Sequence, residues 1–395
     1  MTPAPDLKDL LNRIMRVGAL VSLVAGVLCL AGWYFWPERF YAAYMTAFLY
    51  FLGLGLGSMA LAMIHGLTGG GWGLAIRRIL EASFQTLPLM AVLFLPLLLG
   101  VHTIYEWAEP DYVNAHVTLA RKAAYLNVPG FQIRGLVCFA VWLSLAGLLS
   151  WFSPNKERDP ESPRSQWLQR ISGFGMVVYG LSATVAAVDW VMSLEPEWFS
   201  TMYGVLHIVG QAVLGLSFSI FVVIQLSRFE PWSRSLTHER LNNLGNMLLA
   251  STMFWTYCAF MQYLIIWLGN LPEENVWYIH RGHGGWQYVG LALGLFHFVI
   301  PFFLLLSKRV KRSGESLIRV ATLILAMRAV DLFWLVVPGF QHGSERTGLE
   351  ISWMDPVAFL AIGGLWFAAF AWRLSSTMRQ PLFDPALQHG SQGEH

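Results

Sequence analysis

The chain has 395 residues and a net charge of +2, with 55% hydrophobic and only 13% charged residues. That balance is too apolar for an ordinary soluble domain and points to a membrane protein with no nucleic-acid partner. Eighteen Trp fit the same class, because Trp favours the membrane–water interface.

A run of about 20 apolar residues spans a hydrocarbon core. Ten such runs are predicted, over residues 15–36, 41–65, 84–102, 132–152, 171–194, 201–226, 244–268, 285–306, 317–337 and 356–372. The fold class is therefore all-α, a polytopic membrane protein with ten transmembrane helices. The first run is longer than a signal-peptide core and has no small-residue cleavage pattern after it, so it is read as a retained helix. In the second, Gly53, Gly55 and Gly57 are expected to allow close helix packing.

Next come Gly69, Gly70 and Gly71. They lack the Lys-Ser/Thr of a phosphate loop and predict a tight turn into an amphipathic interfacial helix carrying Arg77, Arg78 and Glu81. Residues 103–131 follow the third run and predict a short surface helix. Residues 153–167, dense in Pro, Ser and charge, predict a flexible linker. The tail after Arg373 is short, and no internal repeat is evident.

Cys29, Cys138 and Cys258 fall singly in apolar runs, which excludes a CxxCH haem attachment and argues against a disulfide scaffold. Lys and Arg set the orientation. Nineteen lie at the amino terminus, the even-numbered connections and the tail, against five on the other side, so both termini are expected to be cytoplasmic.

The chemistry rests on charges inside the runs. Arg328 and Asp331 lie within the ninth, on one helix face at i and i+3. An ionisable side chain near the bilayer centre costs roughly 2.5–3.5 kcal/mol on insertion scales and needs a partner or a function. Counting helical rise inward also puts Asp189, His207, Asp331 and Arg134 in the outer third of the membrane, with Arg328 slightly deeper. His297 falls near the midplane, and His65 and Glu81 at the cytoplasmic boundary. Two readings stay open. The charges are buried glue between helices, or they line a water-accessible cavity where carboxylates and His pass protons and Arg sets their pKa values. His207 and His297 differ by about six residues of depth, which speaks against a b-type haem. No HExxH, Cys/His cluster, catalytic triad or nucleotide motif is present, so no metal site, catalytic residue or redox centre is assigned.

The stretches His65-Gly66-Leu67-Thr68-Gly69-Gly70, Arg77-Arg78-Ile79-Leu80-Glu81-Ala82, Lys122-Ala123-Ala124-Tyr125-Leu126-Asn127, Asp189-Trp190-Val191-Met192-Ser193-Leu194-Glu195-Pro196, Gly269-Asn270-Leu271-Pro272-Glu273-Glu274 and Met327-Arg328-Ala329-Val330-Asp331-Leu332-Phe333-Trp334 resemble the ActF family, integral membrane components of bacterial alternative complex III. The likeness runs from about Tyr41 to the tail. It implies a membrane subunit of the polysulfide-reductase (NrfD-like) type, with two four-helix bundles and flanking helices. The division is then residues 1–40 (amino terminus and flanking helix), 41–194 and 195–337 (the bundles) and 338–395 (second flanking helix and tail). It further implies a place in a quinol:cytochrome c oxidoreductase of the bacterial cytoplasmic membrane. The partners would be lipid, a companion quinol-binding membrane subunit, and periplasmic multihaem cytochrome and iron–sulfur subunits. Quinone or quinol is the one cofactor class such a subunit would meet. A purely structural anchor and a stand-alone secondary transporter are the alternatives.

Overall fold

In hydrocarbon every backbone N–H and C=O must be paired internally, and a helix does so within one segment. The protein, described by a computed structural model over residues 5–156, 163–230, 232–341 and 348–377, is correspondingly built of helices, with no strand among those residues. Ten helices are long and apolar enough to cross a membrane: α1 (Leu7–Phe35), α2 (Pro37–Thr68), α3 (Gly71–Leu99), α4 (Val128–Ser153), α5 (Ser165–Leu194), α6 (Tyr203–Leu226), α7 (His238–Gly269), α8 (Trp286–Leu306), α9 (Gly314–Phe340) and α10 (Met354–Thr377). The chain is a multi-pass helical membrane protein. Helices α2 to α5 close one ring of neighbours and α6 to α9 a second, while α1 and α10 pack on each other and on α2. Two four-helix bundles with flanking helices are thus present as expected. The end of the molecule where α1 begins and α10 finishes is called the terminal face here, and the other end the distal face.

The bundles meet along α2 and α6, and glycine makes this possible. A Cβ at Gly57 would lie 1.8 Å from the Gln211 carbonyl oxygen, and one at Gly215 would lie 2.8 Å from the Ser58 nitrogen. Two backbones therefore touch where side chains would hold them apart. Gly53 faces Leu214 in the same seam, and Gly55 faces Leu87 of α3. The same device joins the flanking helices. Gly18 and Gly364 abut, and Ser22 Oγ donates to the Ala361 carbonyl at 2.6 Å.

One expectation is overturned. Residues 71–84 do not form an interfacial helix; they are the first half of α3, mostly buried and packed on α2, α6, α7 and α10. The turn before it is tight as expected, with Gly69 and Gly70 at φ +68° and +97°. Its charges can sit inside because each finds partners. Arg77 bonds Glu81 at 3.1 Å and Ser153 Oγ at 2.7 Å, and Ser153 Oγ also donates to Glu81. Arg78 donates to the Thr377 carbonyl at 2.8 Å, satisfying an orphan acceptor at the end of α10. Pro88 and Pro96, each in the first turn of a new segment, then divide the rest of α3 into Leu87–Leu93 and Leu95–Leu99.

The 103–131 connection holds a short 3-10 turn and the helices Pro110–Ala115 and Val117–Lys122. Much of the predicted 153–167 linker is helical, since helix extends to Lys156 and resumes at Pro163. Residues 157–162, and the tail beyond 377, lie outside the described residues. On the distal face Pro272–Arg281 forms a ten-residue helix with Pro272, Glu273 and Glu274 in its first turn and Arg281 in its last, which suits its dipole.

Candidate functional site

The intramembrane charges divide into two groups. In the first bundle Arg134 of α4 donates from Nε to Asp189 Oδ2 of α5 at 2.6 Å. Asp189 is buried, whereas the Arg134 side chain is partly exposed and stacks on the Tyr125 ring at 3.9 Å. The Tyr125 hydroxyl lies near the same carboxylate. Below the pair Phe48, Phe94, Phe139, Trp142 and Trp190 pack edge and face, closing the bundle interior. Beside it a cavity of about 290 Å³ is lined by Arg121, Lys122, Tyr125 and Ser193 and opens at the distal face. This ion pair is a near-surface group with one side toward water.

The second group is deeper. Arg328 of α9 donates from Nη1 to Asp331, one turn further on, and the side chains are 2% and 5% exposed. Arg328 fits because Gly210 of α6 has no side chain; a Cβ there would lie 2.3 Å from Nη2. His207 lies on α6 one turn before Gly210, within electrostatic reach of Arg328. His297 of α8 is also within that reach, is wholly buried, and packs at a tilt of 59° against Trp255 of α7 with ring centroids 4.1 Å apart. The Trp255 ring in turn lies 5.9 Å from the Arg328 guanidinium carbon. All four helices of the second bundle therefore contribute to one polar group.

His297 sits in a π-helical stretch, Leu293–Val299, within α8. Such bulges break the i→i+4 ladder locally and are frequent at functional sites. Several atoms of this group have no protein partner among the described residues: His207 Nδ1, both His297 ring nitrogens, Arg328 Nε and Trp255 Nε1. An unpaired buried polar atom costs about 1–3 kcal/mol, and four of these atoms lie on residues around the guanidinium whose own Nε is the fifth.

A third group links this site to the distal face. Arg281 is buried, stacks on Trp277 at 3.7 Å, and donates to Glu195 Oε1 at 2.7 Å. It also donates to the Trp334 and Leu335 carbonyls, each at 3.1 Å, near the carboxyl end of α9. His280 Nδ1 lies 3.2 Å from Glu195 Oε2. Tyr203, buried one turn before His207, is within electrostatic reach of Glu195, Arg281 and Asp331. Burial pushes the Glu195 carboxyl up, yet Arg281 and His280 together overcome this and hold it below its ordinary 4.5. A carboxyl lowered on folding stabilises the fold above its unfolded value, and that contribution is lost as pH falls through the folded value. Thermal stability in detergent is therefore expected to drop as pH falls below 4.5, and Glu195→Gln to be less stable at neutral pH with a flatter acid limb.

Of the residues singled out from sequence, Arg328, Asp331, His207 and His297 come together. Arg134 and Asp189 pair separately, and no hydrogen bond or ion pair joins the two groups among the described residues. His65 and Glu81 lie at the terminal face: His65 Nε2 is 3.1 Å from the Gly70 carbonyl oxygen, and Glu81 belongs to the Arg77–Ser153 knot. Trp255, Tyr203, Tyr125, Gly210 and the Glu195–His280–Arg281 knot were not singled out. Glu195 lies in one of the family-like stretches and Arg281 was counted only as a loop charge; pairing across 86 positions leaves no local signal. All three cysteines are free, and among the described residues no three His, Cys, Asp or Glu side chains are grouped to hold a metal ion.

No protein-family model matches this chain, and no curated protein matches it at a significant level.

Proposed function

We propose that this chain is an integral subunit of a quinol-oxidising respiratory complex of the alternative complex III type, in a bacterial cytoplasmic membrane with both termini inside. Its Arg328-centred group is a site that passes protons or meets the quinol head group. The observation that carries this reading is the set of unpartnered polar atoms on His207, His297, Arg328 and Trp255, gathered in the second bundle. A bundle held by glue alone has no use for a histidine with both ring nitrogens unbonded beside a buried guanidinium. Tyr203 and the Glu195–Arg281 knot continue the polar line from Asp331 to the distal face, the periplasmic side under this orientation. The family-like stretches supply the respiratory context: quinol chemistry on a companion membrane subunit, electrons carried by multihaem and iron–sulfur partners, and no redox centre in this chain.

The transporter alternative calls for interrupted helices at corresponding places in two halves. Among the described residues the mid-helix irregularities are in α3, second in its bundle, and α8, third in its own, so these interruptions do not correspond.

Purification of the intact assembly is expected to bring haem and iron–sulfur subunits with this chain. In it, Asp331→Asn should cut coupled turnover or proton release by at least about tenfold, as for loss of a proton-transfer group. Unchanged turnover and proton release overturn the reading in favour of a structural anchor, and a lone chain that moves a solute overturns it in favour of a transporter.

A further inference from the structure

Away from the charged groups, α1, α2 and α10 enclose a groove of about 450 Å³. Its walls are Val17, Val21, Phe51, Phe359 and Phe367, and the contact of Gly18 with Gly364 brings the two outer helices together beneath it. Every lining side chain is apolar except Arg13, near the terminal face. From Leu10 to Val21 the groove follows α1 for about 16 Å at 1.5 Å per residue, close to half of a hydrocarbon core about 30 Å thick. It therefore begins at one interface and stops near the midplane.

Its mean section, volume over length, is about 30 Å². A section of that order accepts one extended hydrocarbon chain. Arg13 is exposed and forms no hydrogen bond or ion pair with a described residue. Arg16 lies one turn further on and Asp9 one turn back on the same helix, so Arg13 is the cation at the mouth of the groove.

We infer that this groove is a binding site for one anionic phospholipid of the terminal-face leaflet, with an acyl chain between α1 and α10 and the phosphate on Arg13. The apolar walls retain the chain, and the cation selects the head group. The site makes no use of the Arg328-centred group and stands whatever that group does.

Native mass spectrometry of the full chain in detergent tests this, titrating phosphatidylglycerol, phosphatidylcholine with the same acyl chains, and an isoprenoid quinone. One phosphatidylglycerol is expected to be retained about fivefold more tightly than phosphatidylcholine, the preference that one interfacial cation supplies. Arg13→Gln should erase the preference while leaving phosphatidylcholine binding unchanged. Val17→Trp, at a half-exposed position, should fill the groove and remove the retained lipid of either kind without lowering the unfolding temperature. Equal retention of the two phospholipids, a preference surviving Arg13→Gln, or a quinone that displaces the lipid and ignores Arg13 would each overturn the assignment.

Discussion

Asp331→Ala is expected to destabilise the protein by about 3–5 kcal/mol, because it strands the Arg328 guanidinium in a buried bundle. Asp331 is the one hydrogen-bonding partner of Arg328 among the described residues, and it supplies the counter-charge that a neutral imidazole nearby does not. Removing both charges is a different experiment. Arg328→Met combined with Asp331→Leu keeps the apolar volume and leaves no charge behind, and replacing a buried pair in this way is often neutral or stabilising. Thermal unfolding in detergent should therefore place the double variant near the parent and the single variant far below it. A double variant as unstable as the single one would show that loss of the pair itself, and not a stranded guanidinium, sets the cost. A stable double variant that no longer supports turnover in the proposed complex would separate the site's function from its structural effect.

The second large effect is expected at Gly57. A leucine there has its Cβ placed 1.8 Å from a backbone oxygen of α6, which no rotamer relieves, so the two bundles must separate. The cost should exceed about 3 kcal/mol, the upper end for ordinary overpacking. Gly147→Ala is the control, since a Cβ there meets nothing within 4 Å and no loss of unfolding temperature is expected. Equal tolerance of both substitutions would mean that the α2–α6 seam does not join the bundles.

Length and apolarity made the ten helices legible, and spacing alone revealed the Arg328–Asp331 pair, because i and i+3 share a face whatever surrounds the helix. The glycines of α2 were legible for a similar reason: a helix interior gains nothing from glycine unless something approaches it. What was not legible is azimuth. Counting the rise along each helix gives depth but not which helix faces which, so residues at similar levels looked like one cluster and proved to be two. The same blindness applied to residues 71–84. Arg77, Arg78 and Glu81 read as a water-facing stripe because the groups that pair with them, Ser153 and the Thr377 carbonyl, come from segments 76 and 299 positions away.

Arg281 ties the distal cap to the helix below it. Its guanidinium holds the Trp334 and Leu335 carbonyls, three and four residues beyond Asp331, and with the same group grips Glu195 at the end of the other bundle. That makes the cap a strut rather than a lid: it cannot shift without pulling on the last turn of α9. The carbonyls that Arg281 holds are thus one helical turn, about 5.4 Å, from the helix position that carries the Asp331 carboxylate. Mechanical communication between the distal face and the buried charge needs no longer route than that.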